Sequence, residues 1–83
     1  MAMKFEKNAD GTYLLDVCGY VYPESEIYCK KSIEKIQEGE ILNMVFDNPS
    51  SAETIKQMLD QAGHDLMEEK KESGKIIFKI KKG

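Results

Sequence analysis

One segment constrains the fold of this 83-residue chain more than any other: residues 15–24, which read Leu-Asp-Val-Cys-Gly-Tyr-Val-Tyr-Pro-Glu. Residues 13–18 alternate between two sets of side chains, which is the pattern of a half-buried strand. Gly19 interrupts the strand. Pro23 suits the first position of a helix because its missing N–H is not needed there. The segment therefore predicts a strand, a short loop and a helix in that order.

The first helix and the strand after it follow from the apolar spacing. Cys29, Ile33 and Ile36 recur at i, i+4 and i+7, which places them on one stripe of a helix that starts at Pro23. Gly39 is expected to end this helix, because glycine tolerates positive φ. Residues 41–47 then form a second strand.

A second helix and two further strands complete the chain. Ser50-Ser51-Ala52-Glu53 has the form of a capping box and predicts the start of a helix that Gly63 ends. Residues 65–71 form a weaker strand, and residues 75–81 alternate so that three apolar side chains face inward. The expected core residues of these elements and of the first helix are Ile33, Ile36, Ile55, Leu59, Ile76, Phe78 and Ile80.

The predicted order is β-α-β-α-β-β. Because two helices can cover only one face of such a sheet, the fold class is α/β (α+β), a two-layer sandwich. We expect a four-stranded mixed sheet with both helices on one face. Residues 1–11 are predicted to be a loose N-terminal lead-in, and residues 12–83 a single domain.

Composition excludes several classes of function. With 41% apolar and 33% charged residues, the chain can build one core under a well-solvated surface. No stretch approaches the roughly 20 apolar residues of a membrane span, so we expect no membrane contact and a cytoplasmic location. All twelve basic residues are lysines and the net charge is −3, which disfavours nucleic-acid recognition. We expect a monomer.

The usual catalytic and cofactor motifs are missing from the sequence. Two cysteines eleven positions apart and a single histidine, His64, give no zinc-binding spacing. The glycines are isolated and form no phosphate-binding loop. A lone histidine also gives no basis for a Ser-His-Asp arrangement. We therefore expect no metal and no cofactor, and a carrier or binding module.

The segment that constrains the fold resembles the signature of the TusA/SirA-like sulfur-carrier family, Leu-Asp-x-x-Gly-x-x-Cys-Pro-x-Pro. Further matches follow in the family's order: Gly39-Glu40, Asp47-Asn48-Pro49, Gly63-His64-Asp65-Leu66 and Lys81-Lys82. The resemblance implies the two-layer sandwich, protein partners of a sulfur-relay or regulatory pathway, and a persulfide on the cysteine before the first proline. In this chain Pro23 is kept, Tyr22 stands at the cysteine position and Ser25 at the second proline.

These replacements favour a degenerate family member that acts through protein docking. A phenol titrates near pKa 10 and cannot accept a sulfur atom, so Tyr22 cannot carry a persulfide. Glu24 and Glu26 lie in the first helical turn, where their charges would oppose an anionic sulfur. The possible docking surface comprises Tyr20, Glu24, Tyr28 and Lys31.

Two alternatives stay open. Cys18 lies four residues before Tyr22 and could be a relocated catalytic thiol, which would make the chain an active sulfur carrier or sulfurtransferase. Cys29 is not a candidate, because it belongs to the apolar stripe of the first helix. The tyrosine at position 22 could also be an engineered replacement, although the accompanying change at Ser25 favours natural divergence.

Overall fold

The computed structural model describes residues 3–83, which form five strands and two helices. The elements are β1 (Lys4–Lys7), β2 (Tyr13–Asp16), α1 (Glu24–Lys35), β3 (Ile41–Phe46), α2 (Ser50–Gln61), β4 (Asp65–Glu72) and β5 (Lys75–Lys81). The strands lie in the sheet in the order β1-β2-β3-β5-β4. β2 and β3 are parallel and every other neighbouring pair is antiparallel, so the sheet is mixed, as predicted.

The core lies between one face of the sheet and the two helices. The register aligns Leu15, Met44 and Phe78 across three strands, and all three side chains are fully buried. Their sequence neighbours on the other face, such as Asn43 and Ile77, are half-buried. Because the core cluster joins this single sheet face to residues of both helices, the two-layer arrangement is confirmed.

The predicted burial of seven core residues is also confirmed. Ile33, Ile36, Ile55, Leu59, Ile76, Phe78 and Ile80 are each at most 4% exposed. Phe46 and Phe78 meet edge to face, with their ring centroids 5.0 Å apart. This contact fixes β3 against β5 at the centre of the core.

The expectation of four strands was wrong by one, because the segment assigned to a loose lead-in contains β1. Phe5 in β1 stacks on Tyr13 of β2, with ring centroids 5.8 Å apart. Asp10 closes the connecting turn by accepting hydrogen bonds from the amide and hydroxyl of Thr12. Gly11 has φ of +91°, a conformation that glycine adopts without strain. The Asp10-Gly11 pair is the hairpin signal that the sequence analysis missed.

The helix ends differ from the predicted ones in two places. α1 ends at Lys35, before Gly39, because Ile36 adopts an extended conformation and is 2% exposed in the core. The expected capping box does not form at α2. Ser50 is already helical, and the side-chain oxygen of Asn48 accepts hydrogen bonds from its amide and hydroxyl. The amide and hydroxyl of Ser50 at the start of α2 are therefore satisfied by a side chain two residues earlier in the chain.

Candidate functional site at the entrance of the first helix

The loop between β2 and α1 is held by hydrogen bonds from both parallel strands. The amide of Cys18 donates to Oδ1 of Asp16 at 3.0 Å, and the amide of Gly19 donates to Oδ1 of Asp47 at 2.9 Å. Asp16 ends β2 and Asp47 directly follows β3. Gly19 has φ of +89°, which favours glycine at this turn. The two carboxylates thus set the path of the loop into the helix.

The entrance of α1 is partly closed by the chain's own backbone. The carbonyl oxygen of Val21 accepts hydrogen bonds from the amides of Glu24, at 2.8 Å, and Ser25, at 3.2 Å. Free amides at a helix start are the groups that normally bind an anion. Because these two already have an acceptor, they are not available to an anionic sulfur at position 22. Glu24 is exposed beside them.

Tyr22 lies at this entrance with its side chain largely in solvent, 65% exposed. Two other large apolar side chains near it are also exposed, Val21 at 55% and Ile27 at 45%. Apolar and aromatic side chains that stay exposed within one short segment are typical of protein contact surfaces. The segment therefore has the character of a docking surface.

The four predicted docking residues divide into two pairs. Glu24 and Lys31 are exposed. Tyr20 and Tyr28 are half-buried and pack on each other, with ring centroids 5.2 Å apart, at the edge of the core. The two tyrosines support the surface from beneath.

Ile27 was not predicted as part of a docking surface, although its position in the sequence carried a signal for exposure. Ile27 is two residues from Cys29 and so falls off the buried stripe of α1. An isoleucine off the stripe of an amphipathic helix is expected on its surface. We use the term entrance surface for the exposed side chains of Val21, Tyr22, Glu24 and Ile27.

Cys18 is partly buried beside Asp16 and Asp47. Burial raises the pKa of its thiol to about 11, and a hydrogen bond to Asp16 and the charges of Asp16 and Asp47 act in the same direction. Sulfur transfer requires a thiolate, which positive surroundings favour. These surroundings do the opposite, so the geometry gives Cys18 no support as a catalytic thiol.

Cys29 and His64 lie away from the entrance surface. Cys29 is fully buried in the core, where burial raises the pKa of its thiol to about 12, so its predicted packing role is confirmed. His64 follows α2 at the end opposite to its start, and its Nδ1 accepts a hydrogen bond from the amide of Gly83. Within residues 3–83 no group of His, Cys, Asp and Glu side chains could hold a metal ion. No helix in that range is long and apolar enough to cross a membrane.

Comparison with known proteins gives the family. The family model described as Sulfurtransferase TusA matches residues 13–82. The chain belongs to the TusA family. Its relatives include the sulfur carrier protein TusA of Allochromatium vinosum, 34% identical over 74 residues that cover 89% of this chain and 97% of the relative. A putative sulfur carrier protein of Thermotoga maritima is 33% identical over 73 residues, 84% of this chain and 92% of the relative.

The family match includes both the start of β2 and the end of β5 but leaves out β1. It covers the whole entrance surface and the loop that leads to it. Tyr22 lies within the matched region, and its side chain is largely exposed.

Proposed function

We propose that this chain is a degenerate member of the sulfur-carrier family that has lost persulfide transfer and acts by docking to a protein partner of a sulfur-relay or regulatory pathway. The observation that carries the proposal is the solvent-exposed phenol of Tyr22 at the family's cysteine position. A phenol oxygen cannot form the sulfur–sulfur bond that a carrier needs, whereas an exposed tyrosine is a favourable contact residue. We expect the protein to be a monomer and to dock to its partner in the cytoplasm.

The electrostatics of the entrance surface support the loss of sulfur chemistry. The first two amides of α1 donate to the carbonyl of Val21, and Glu24 adds a carboxylate in the first turn. Both features reduce the stabilisation that the start of the helix would otherwise give to an anion at position 22. A persulfide is anionic near neutral pH, so its stabilisation by the helix end is weakened here.

The alternative activity would require Cys18. A donor persulfide would lose its terminal sulfur to the Cys18 thiolate, which would leave the donor as a thiolate and Cys18 as the persulfide. With a pKa of about 11, roughly one Cys18 in ten thousand is a thiolate at pH 7. This transfer is therefore expected to be slow.

Mass spectrometry after incubation with a cysteine desulfurase and cysteine tests the proposal. Addition of one sulfur atom raises the mass by about 32 daltons. We expect no such increase in the unchanged protein during the time in which the Tyr22→Cys variant becomes modified. A Cys18→Ser variant is the matched control, because it removes the alternative thiol and keeps Cys29. Rapid sulfur addition that the Cys18→Ser change abolishes would overturn the degenerate assignment.

A further inference from the structure

A buried chain of hydrogen bonds joins the starts of the two helices. The hydroxyl of Ser25 in α1 donates to Oε1 of Glu26 at 2.5 Å, and the hydroxyl oxygens of Ser25 and Ser51 are 3.0 Å apart. Asn48, just before α2, donates its side-chain amide to Ser51 at 3.2 Å. Ser25 and Ser51 are at most 1% exposed and Glu26 is 7% exposed. These four side chains form the entrance chain.

The hydrogen bonds of the entrance chain run in one direction. Ser25 has a single hydroxyl proton, which it gives to Glu26, so the bond between the two serines must be donated by Ser51. The orientation of the Asn48 amide is also fixed, because its oxygen accepts the backbone N–H of Ser50. Donors therefore point from Asn48 through Ser51 and Ser25 to Glu26. Removing either serine hydroxyl breaks the hydrogen bond that links the two helices.

The entrance chain depends on the hydroxyl of Ser25, at the position where the resemblance to the family signature implies a second proline. Proline has no hydroxyl and could neither donate to Glu26 nor accept from Ser51. Its missing N–H would matter little, because the amide of Ser25 makes only a 3.2 Å bond to Val21. A serine here thus adds two buried hydrogen bonds, one to Glu26 within α1 and one to Ser51 of α2, and removes none that proline would have kept.

The entrance chain is not arranged for maximum stability. Oε2 of Glu26 is buried and has no hydrogen-bond partner among residues 3–83. An unpaired buried oxygen is destabilising, and apolar replacements of such groups are often neutral or stabilising. Such a network fixes the relative positions of the side chains that it joins more than it stabilises the fold.

We infer that Ser25, Ser51, Asn48 and Glu26 are positioning residues that hold the start of α1, and with it Tyr22, in a fixed place relative to α2. The geometry follows from the hydrogen bonds alone, while the use of this geometry in docking rests on the proposed function. Ser51 is the informative residue. It lies in α2, whereas Tyr22 lies in the loop before α1, so an effect of Ser51 on position 22 must pass through the entrance chain or through a general loss of folding.

The test measures the surroundings of position 22 in the folded protein. Alkylation rate against pH is recorded in the Tyr22→Cys background, and the amide shifts of residues 21–24 are recorded by NMR in the protein with Tyr22. We expect Ser51→Ala to change the alkylation rate about threefold or more and to shift these amides, and Ser25→Ala to do the same. Because either change breaks the same chain, the double variant should show no more than the larger single effect.

Two controls separate positioning from general packing. Ser32→Ala removes a hydroxyl that is equally buried, 2% exposed, on α1 outside the entrance chain, and it should leave the rate and shifts unchanged. Ser51→Thr keeps the hydroxyl and should restore both. Should Ser51→Ala fail to fold, Asn48→Asp replaces it, because aspartate has no amide to donate to Ser51.

The inference is overturned if Ser51→Ala behaves like Ser32→Ala, or if the effects of Ser25→Ala and Ser51→Ala simply multiply. Neither result depends on sulfur transfer. Persulfide formation on the unchanged protein would refute the proposed function and leave the entrance chain intact, so the two failures are distinguishable.

Discussion

The backbone amide of Gly19 donates a hydrogen bond to Oδ1 of Asp47 at 2.9 Å, across 28 positions of sequence. This bond ties the loop before α1 to the end of β3, the strand parallel to β2. Together with the hydrogen bond from the Cys18 amide to Asp16, it holds the loop that leads to the entrance surface.

Replacing Asp47 with alanine should loosen that loop. We expect Asp47→Ala to lower the free energy of unfolding by about 1 kcal/mol and to speed hydrogen exchange at Gly19 about tenfold. Asp47→Asn keeps an acceptor oxygen and should retain most of the protection. Asp60→Ala, which removes an exposed carboxylate of α2, is the control. Unchanged exchange at Gly19 in Asp47→Ala would contradict the role given to this bond.

A cysteine at position 22 should report the electrostatics of the helix entrance. Tyr22→Cys is expected to give an accessible thiol with a pKa below the ordinary value of about 8.5, because the helix start favours the anion. Glu24→Gln in that background should lower the pKa further, because it removes the neighbouring negative charge. Iodoacetamide alkylation against pH measures both values. Glu34→Gln, which neutralises an exposed carboxylate nearly three turns further along α1, should have no effect.

Asp16 should contribute a pH-dependent part of the stability. Its hydrogen bond from the amide of Cys18 is the largest cause that lowers the pKa of Asp16 below its ordinary value of 3.8. A carboxyl group whose pKa is lower in the folded state stabilises the protein at any pH above its pKa in the unfolded state. This contribution is lost as the pH falls through the pKa of the folded state. Urea unfolding between about pH 5 and about pH 2 should therefore show a weaker loss of stability with acid in Asp16→Asn. An equally steep loss in both proteins would contradict this assignment.

Phe78 should be among the most sensitive core positions. Its side chain is fully buried and meets Phe46 edge to face. Phe78→Ala should cost about 3–5 kcal/mol of unfolding free energy in a urea titration. Ile77→Ala, the half-buried neighbour on the other face of β5, should cost much less. Similar losses at both positions would show that the inner face of β5 is wrongly placed.

The periodic elements could be predicted from the sequence because their side chains repeat a single physical environment. β5 matches its predicted bounds at residues 75–81, and its alternating apolar residues are buried as expected. β1 was missed because Lys4–Lys7 contains one apolar residue, Phe5. Its place in the sheet depends on the stacking of Phe5 on Tyr13, a contact that no local pattern contains.

The sequence by itself determined the order of the elements from β2 to β5, the buried faces of the two helices and of β5, the family resemblance and the tyrosine at position 22. These follow from side-chain periodicity and from residue types at fixed spacing. The tertiary structure alone decided that the charge of Asp47 acts on the partly buried Cys18 and that Glu26 is buried at the end of a chain of donors from α2. Burial and hydrogen-bond partners depend on residues that are far apart in the chain. Those partners meet only when the two helix starts come together near the carboxyl ends of β2 and β3.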